Sequence, residues 1–236
     1  KRFYAIKLFE RDDKIGEMLR VTPNVEAIIS AVEKDLDDDS ESIITNARYE
    51  YIASILDECE RQIIANKSAD FTASRGEYLN ARLIAALLGW DFVDAQEIIY
   101  FNERGMFDEA RSYRLIERRL KHCKNAVIPG FYGMDAWGCD KTFTRGGSDI
   151  SGSIIARGVN AELYENWTDV SGFLACDPRI VNNPQKIGVI SFKELRELSY
   201  MGANVLHADA IYPVRKGDIP IRIKNTFRPM DEGTLI

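Results

Sequence analysis

The sequence predicts an α/β protein in which a mostly parallel β-sheet lies between helices on both faces, a three-layer αβα sandwich. Segments with apolar residues at helical spacing alternate along the chain with short apolar runs that are typical of buried strands. Two of these runs, residues 125–129 and 161–167, lead directly into turns rich in polar residues and glycine. The 236 residues suffice for one such domain, and we expect residues 1–236 to form it.

Helices are predicted in the first part of the chain. Residues 23–36 carry apolar side chains on one stripe and begin with a proline, and residues 46–66 show a similar pattern. Ser74 and Glu77 fit the Ser-x-x-Glu capping box, which predicts that a third, strongly apolar helix begins there. We expect this helix to end at Gly89, because glycine is the usual residue just beyond a helix.

Strands and helices alternate through the rest of the chain. A second Ser-x-x-Glu box predicts a helix that begins at Ser191, and alternating isoleucines predict a final strand. The elements predicted after Gly89 are, in order, a strand at 91–94, a helix at 108–123, a strand at 125–129 that runs into the loop Phe131-Tyr132-Gly133, a helix from Ser148 or Asp149 to Gly158, a strand at 161–167, helices at 191–200 and 203–216, and a strand at 219–224.

Composition narrows the classes of function. Apolar residues make up 45% and charged residues 29% of the chain, which is ordinary for a globular protein. The net charge is −6 and no basic tract is present, so we expect neither a nucleic acid nor a membrane as partner. The 4 cysteines form no Cys-x-x-Cys pair and only 2 histidines accompany them, so we expect no protein metal site, and reduced thiols in the cytoplasm.

The centre of the chain combines groups that bind anions. Gly146 and Gly147 form the only glycine pair, and Ser148 or Asp149 is a suitable N-cap for the helix that follows. A glycine turn that leads into a helix exposes backbone N–H groups to an anion, and Arg145 adds a guanidinium just before it. An ordinary loop before a capped helix explains the same residues, so the downstream segments must decide between the two.

Three loops are expected at the carboxyl ends of the predicted strands, at 131–133, 145–149 and 167–179. This combination suits a nucleotide polyphosphate together with a small anionic substrate, and phosphoryl transfer needs mainly positioning and charge neutralisation. No Walker motif and no Gly-x-Gly-x-x-Gly is present. The side chains that the loops would contribute are the guanidiniums of Arg145 and Arg179, the carboxylates of Asp149 and Asp169, and the rings of Trp167 and Phe173.

Several ordered segments of the chain resemble the aspartate kinases, which belong to the amino-acid kinase superfamily. The resemblance covers essentially the whole chain, and the order and separation of its motifs make it specific. The segments that carry it are Phe143–Asp149, Trp167–Phe173 and Asp177–Val181, with further matches at 74–77, 190–192, 202–207 and 219–227.

The resemblance implies an ATP-dependent kinase that phosphorylates the side-chain carboxylate of L-aspartate, the first step of a biosynthetic pathway that leads to lysine and threonine. ATP would arrive with Mg²⁺. Arg145 would hold a substrate carboxylate and Glu77 the substrate's amino group. Asp149 would organise the phosphoryl-transfer centre, which makes it, with Arg145, the catalytic pair. The residues that would line the substrate and phosphate side are Gly146, Gly147 and Ser148.

The resemblance also implies a nucleotide site. Trp167, Thr168 and Asp169 would meet the nucleotide, and Arg179 would lie near its phosphates. Asn204 stands where the family usually has a lysine that contacts the nucleotide, and Phe173 stands where a tyrosine is common. The segment that would wrap the nucleotide consists of Phe173, Leu174, Ala175, Cys176, Asp177 and Pro178.

Two segments of the aspartate kinase family are absent from the sequence: the N-terminal Lys-Phe-Gly-Gly segment, with its phosphate-neutralising lysine, and the C-terminal regulatory ACT domains. We therefore expect weak activity or none from this chain, and any homo-oligomer to form through the ACT domains. Two alternatives stay open: a kinase with another acidic acceptor such as glutamate, and a non-catalytic module that binds substrate or nucleotide.

Overall fold

The computed structural model describes residues 7–8, 25–36, 40–66, 68–176, 180–182, 184–200, 206 and 208–236. These form two compact units, the first made of residues 1–93 and 124–128 and the second of 94–123 and 129–236. Helices and strands alternate as predicted, so the α/β class is confirmed. That residues 1–236 form a single domain stays a prediction.

The first unit packs helices beside one parallel strand pair. Its helices are α1 (Glu26–Leu36), α2 (Ser40–Asn66) and α3 (Ala69–Leu88), and its strands are β1 (Asp91–Phe92) and β2 (Ala126–Val127). Helix α3 contacts α2 and both strands. The second predicted helix therefore exists but begins at Ser40 rather than at residue 46.

Helix α3 begins earlier than the capping box predicts. Ser68 is its N-cap, and the Ser68 side chain accepts a hydrogen bond from the backbone N–H of Phe71. Ser74 consequently lies inside the helix, where its hydroxyl donates to the carbonyl of Phe71 at 2.8 Å. The predicted box with Glu77 is wrong, because the earlier serine already caps this helix. The predicted end is confirmed, since Gly89 takes a left-handed φ of 65° after the last turn.

The second unit contains the remaining elements. They are a 3₁₀ turn (Ala95–Glu97), α4 (Glu109–Leu120), β3 (Tyr132–Met134), β4 (Asp140–Thr142), α5 (Gly147–Gly158), β5 (Tyr164–Thr168), β6 (Phe173–Leu174), β7 (Lys186–Ile187), α6 (Phe192–Tyr200), α7 (Ala208–Lys216), β8 (Ile221–Asn225) and β9 (Thr234–Leu235). Strands β5 and β8 pair in parallel, whereas β3 with β4, β6 with β7 and β8 with β9 are antiparallel. Helix α5 packs against α4, α7 and β5.

Local sequence rules hold for two elements of the second unit. Strand β8 buries Ile221 and Ile223 on one face, as the alternation predicts. The capping box of α6 is confirmed, because the backbone N–H of Ser191 donates to the Glu194 carboxylate at 2.7 Å, and the Glu194 N–H donates to the Ser191 hydroxyl at 3.2 Å. The backbone hydrogen bond from Ser191 lowers the pKa of Glu194.

One predicted loop forms a strand instead, and one predicted helix lies partly outside the described residues. Tyr132 and Gly133 lie in strand β3 rather than in a loop, because β4 pairs with them in a hairpin. Asp135 closes this hairpin by accepting hydrogen bonds from the backbone N–H groups of Trp137 and Cys139, at 2.9 and 2.8 Å. The predicted helix at 203–216 is described only as α7, and most of its earlier part lies outside the described residues.

Within the described part of the chain, no helix combines the length and apolarity needed to cross a membrane.

The turn before β9 requires a glycine. Gly233 has a φ of 74°, and a Cβ atom there would overlap the carbonyl oxygen of Ile223. We expect Gly233→Ala to lower the free energy of unfolding by about 2–4 kcal/mol, measured by urea denaturation, because strain and overlap add. Gly105→Ala is the control, since Gly105 has a similar φ of 70° but open space around it. A smaller loss, of about 1–2 kcal/mol, is expected there. Equal losses in the two variants would contradict the role of the overlap.

Candidate active site

The N-terminus of α5 has no side-chain cap among the described residues. The helix begins at Gly147, and its N-cap is Gly146 in a left-handed conformation, with a φ of 61°. The prediction that Ser148 or Asp149 would be the N-cap is wrong. The glycine reaches a φ that those residues rarely adopt, and the chain enters the helix before them. Within the described part of the chain, the backbone N–H groups of the first turn thus meet no capping side chain, which an anion site requires.

The loop that precedes β3 packs directly on this helix terminus. A Cβ atom on Gly147 would lie 2.9 Å from the Cα of Phe131, and one on Gly130 would lie 3.2 Å from the Cα of Ser148. The backbone N–H of Phe131 donates to the hydroxyl of Ser151 at 2.9 Å, and Phe131 itself has a positive φ of 73°. Phe131, the residue of the first predicted loop that lies outside β3, therefore packs beside the second predicted loop, as expected.

The close approach makes Gly147 sensitive to substitution. We expect Gly147→Ala to lower the free energy of unfolding by about 1–3 kcal/mol, because the new methyl group would push against backbone that cannot rotate away. Thermal or urea unfolding measures this loss. Gly188→Ala is the matched control, because nothing lies within 4 Å of a Cβ atom there. Unchanged stability in Gly147→Ala would show that the loop before β3 yields easily.

Asp149 connects the helix terminus to strand β5. The side-chain amide of Asn166 donates to Asp149 Oδ1 at 2.9 Å, and the hydroxyl of Tyr164 donates to the backbone carbonyl of Asp149 at 3.2 Å. Asp149 is half-buried, whereas Asn166 is 8% exposed. Strand β5, which leads into the third predicted loop, is thus bonded to the second predicted loop through these contacts.

Arg145 directly precedes the glycine turn at the start of α5. Arg145 is exposed, and its side chain makes no hydrogen bond or ion pair with any residue that the structure describes. Ser148, also exposed, lies in the first turn of α5. A cation and a row of backbone donors at one helix terminus suit an anionic group such as a carboxylate or phosphate.

The carboxyl end of β5 presents an aromatic face. Trp167 is 46% exposed, and the ammonium of Lys224 lies 5.1 Å from the centre of its ring. Thr168 and Asp169 follow, with the Thr168 hydroxyl donating to Asp169 Oδ1 at 3.2 Å. The side-chain amide of Asn225 donates to the Asp169 carbonyl at 3.2 Å, which ties this turn to the neighbouring strand. An exposed indole beside hydrogen-bonding groups is suited to a nucleotide base.

The segment after β5 differs from the prediction at Phe173. Its side chain is 2% exposed, so the ring packs in the core and presents no open aromatic face. The sequence could not show this, because the hydroxyl that accepts the Phe173 N–H at 2.8 Å comes from distant Thr234. Leu174 is half-buried, and Ala175 and Cys176 are exposed. The predicted residues that lie outside the described part of the chain are Asp177, Pro178, Arg179 and Asn204.

Glu77 belongs to the first unit, whereas the other described site residues belong to the second. It lies on α3 and is half-buried. Its role toward a substrate stays a prediction.

The candidates predicted from the sequence did not include two residues that contact Asp149, namely Asn166 and Tyr164. The strand predicted at 161–167 could have indicated them, because Tyr164 and Asn166 are two positions apart and alternation places both side chains on one face of the strand.

These features define the class of protein as an α/β fold in which a helix begins at a glycine turn and packs against a parallel strand. The chain belongs to the amino acid kinase family, whose model matches residues 16–225.

Named relatives agree with this membership. The chain is 39% identical over 176 residues to aspartokinase 3 of Bacillus subtilis (strain 168), which covers 71% of this chain and 38% of that protein. It is 33% identical over 186 residues to the chloroplastic aspartokinase 1 of Arabidopsis thaliana, which covers 72% of this chain and 32% of that protein. The chain therefore spans well under half the length of these relatives.

Solved structures agree with the fold. The crystal structure of Clostridium acetobutylicum aspartate kinase superposes with a TM-score of 0.75 at 58% identity, covering 78% of this chain and 42% of that one. E. coli aspartokinase III in complex with aspartate and ADP superposes with a TM-score of 0.68 at 26% identity, covering 83% of this chain and 51% of that one. The α/β amino acid kinase fold is thus confirmed.

Proposed function

We propose that this chain is the catalytic part of an aspartate kinase, which transfers the γ-phosphoryl group of ATP to the side-chain carboxylate of L-aspartate. The observation that carries the proposal is the N-terminus of α5, with Asp149 in its first turn and Arg145 just before it. Among the described residues, this terminus has no side-chain cap and the guanidinium of Arg145 has no partner. The likeness to E. coli aspartokinase III, solved with aspartate and ADP, supports the same substrates. The product would be aspartyl phosphate, formed in the cytoplasm as a biosynthetic intermediate.

Recognition of aspartate requires groups of both charges. Arg145 would bind a substrate carboxylate through two parallel N–H donors, and Glu77 would bind the ammonium group. The role of Arg145 rests on its guanidinium, which has no partner among the described residues. The role of Glu77 rests on the motif match alone. Backbone N–H groups at Gly147 and Ser148 would hold negatively charged oxygens of the reacting groups.

The residues at the end of β5 fit a nucleotide. The exposed indole of Trp167 offers a flat face to the base, and Thr168 and Asp169 offer hydrogen-bonding groups beside it. ATP would supply the phosphoryl group, and Mg²⁺ bound to it would neutralise part of its charge. Asp149 leaves its Oδ2 atom without a partner among the described residues, so a carboxylate oxygen is available to the transfer centre.

A trapping assay tests the proposal. The chain is incubated with Mg·ATP and either L-aspartate or L-glutamate, and hydroxylamine converts an acyl phosphate into a coloured hydroxamate. We expect hydroxamate with L-aspartate only. Hydroxamate formed with L-glutamate alone would mean that the acceptor is another acidic substrate rather than L-aspartate. Absence of signal, together with no binding of either substrate by calorimetry, would overturn the proposal.

A further inference from the structure

A closed ring of hydrogen bonds holds the Asp149 carboxylate. The side-chain nitrogen of Asn166 donates to Asp149 Oδ1 at 2.9 Å and to the hydroxyl oxygen of Tyr164 at 3.1 Å. That hydroxyl donates in turn to the backbone carbonyl of Asp149 at 3.2 Å. Both N–H bonds of the amide and the tyrosine proton are therefore used. Side chain and backbone of the same aspartate are linked through one pair of residues.

The ring is built into the packing of α5 on β5. Asn166 is 8% exposed, in a strand position where an apolar side chain would bury without any polar cost. Tyr164 fits only because Gly152 lacks a side chain, since a Cβ atom there would lie 2.7 Å from the tyrosine oxygen. The core thus has room for both hydrogen-bonding side chains, Asn166 and Tyr164, between β5 and α5.

The chemistry of the ring determines its orientation. If the Asn166 amide were flipped, its oxygen would face the carboxylate and repel it, so the amide presents its donor. Burial, which is the main cause, raises the pKa of Tyr164 to about 12, and its hydroxyl therefore keeps its proton throughout the neutral range. Asp149 Oδ1 is engaged, while Oδ2 has no partner among the described residues.

We propose that Asn166, supported by Tyr164, is a positioning residue that fixes the Asp149 carboxylate in one orientation for phosphoryl transfer. The inference rests on the proposed function. A carboxylate held in one rotamer needs no reorganisation during the reaction, whereas a free one samples several. Residues that orient a reacting group from behind commonly contribute about 10- to 100-fold to activity.

The direct test measures the side-chain rotamer of Asp149 rather than activity. Three-bond couplings to its Cγ, measured by NMR on the isotope-labelled chain, distinguish one χ1 rotamer from an average of several. We expect one rotamer in the unmodified chain and averaging in Asn166→Leu. A single rotamer in that variant would overturn the proposal. This outcome does not depend on catalysis, so it is distinguishable from a failure of the proposed function, which the trapping assay reports.

Kinetics of the same variants provide the second test. We expect Asn166→Leu to lower kcat about 10- to 100-fold with little change in the KM for aspartate. Tyr164→Phe, which removes only the supporting hydroxyl, should lose less. Ser112→Ala is the matched control, because the buried Ser112 hydroxyl accepts the Tyr100 N–H at 2.9 Å, far along the chain from Asp149. Equal losses of kcat in Asn166→Leu and Ser112→Ala would mean that Asn166 only stabilises the fold, which would contradict the positioning role.

Asn166→Asp gives a pH signature that a structural role would not produce. The introduced carboxyl would repel Asp149 when both are ionised, and would restore a donor when one proton lies between them. We therefore expect the kcat of this variant, relative to the unmodified chain at each pH, to rise as the pH falls from about 8 to 6. A constant ratio over that range would contradict a donor role for Asn166.

Discussion

Replacing Arg145 with alanine is expected to raise the KM for aspartate about 10- to 100-fold and to leave the free energy of unfolding unchanged. A charge-assisted hydrogen-bonded pair contributes about 1.5–3 kcal/mol, which corresponds to this range. Stability should not change, because the exposed guanidinium has no partner within the described part of the chain. Steady-state kinetics with the hydroxamate assay, or calorimetry where turnover is slow, measures the effect, and urea denaturation measures stability.

Two further variants separate charge from geometry at this position. Arg145→Lys keeps the positive charge but loses the planar fork, so its KM should lie between those of the unmodified chain and of the alanine variant. Arg104→Ala is the control, since Arg104 is also an exposed arginine of the second unit. An unchanged aspartate affinity in Arg145→Ala would remove Arg145 from the substrate site.

Replacing Asp149 with asparagine is expected to lower kcat about 100- to 1,000-fold with little change in the KM for aspartate. Under the proposed function this change removes a negative charge from the transfer centre, and one preorganised electrostatic contact is worth about this factor. The fold should persist, because the new side chain keeps an oxygen that can accept from Asn166. Single-turnover measurement of hydroxamate formation isolates the chemical step.

The control for this variant is Asp218→Asn, an exposed aspartate whose positive φ of 52° suits asparagine equally well. It should leave kcat unchanged. A raised KM with an unchanged kcat in Asp149→Asn would mean that this carboxylate binds the ground state and takes no part in transfer.

Predictions that depend on neighbouring residues in the chain were the most successful. The capping box at Ser191, the helix end at Gly89 and the alternation in β8 all follow from contacts within a few residues, and all three are confirmed. The capping box at Ser74 fits the same rule but is wrong, since Ser68 offers an earlier cap. A local motif shows that a helix can begin at a residue, but it does not exclude an earlier start.

Predictions that depend on distant contacts were less successful. Phe173 has the sequence context of an open aromatic face, yet its ring is buried and its N–H is bonded to Thr234, 61 positions away. That the glycines of the α5 turn form an anion site stays a prediction, and the sequence did not predict their conformation. The N-cap is Gly146, and Gly147 lies against the backbone of Phe131.

The sequence by itself determined the α/β class, the order of most elements and the glycine turn that leads into α5. Periodicity, caps and glycine positions are properties of adjacent residues, and they act before any long-range contact forms. The tertiary structure alone decided which groups surround Asp149. Asn166 lies 17 positions further along, and it reaches the carboxylate only because β5 packs against α5. The orientation of a reactive side chain depends on such packing, which no local pattern encodes.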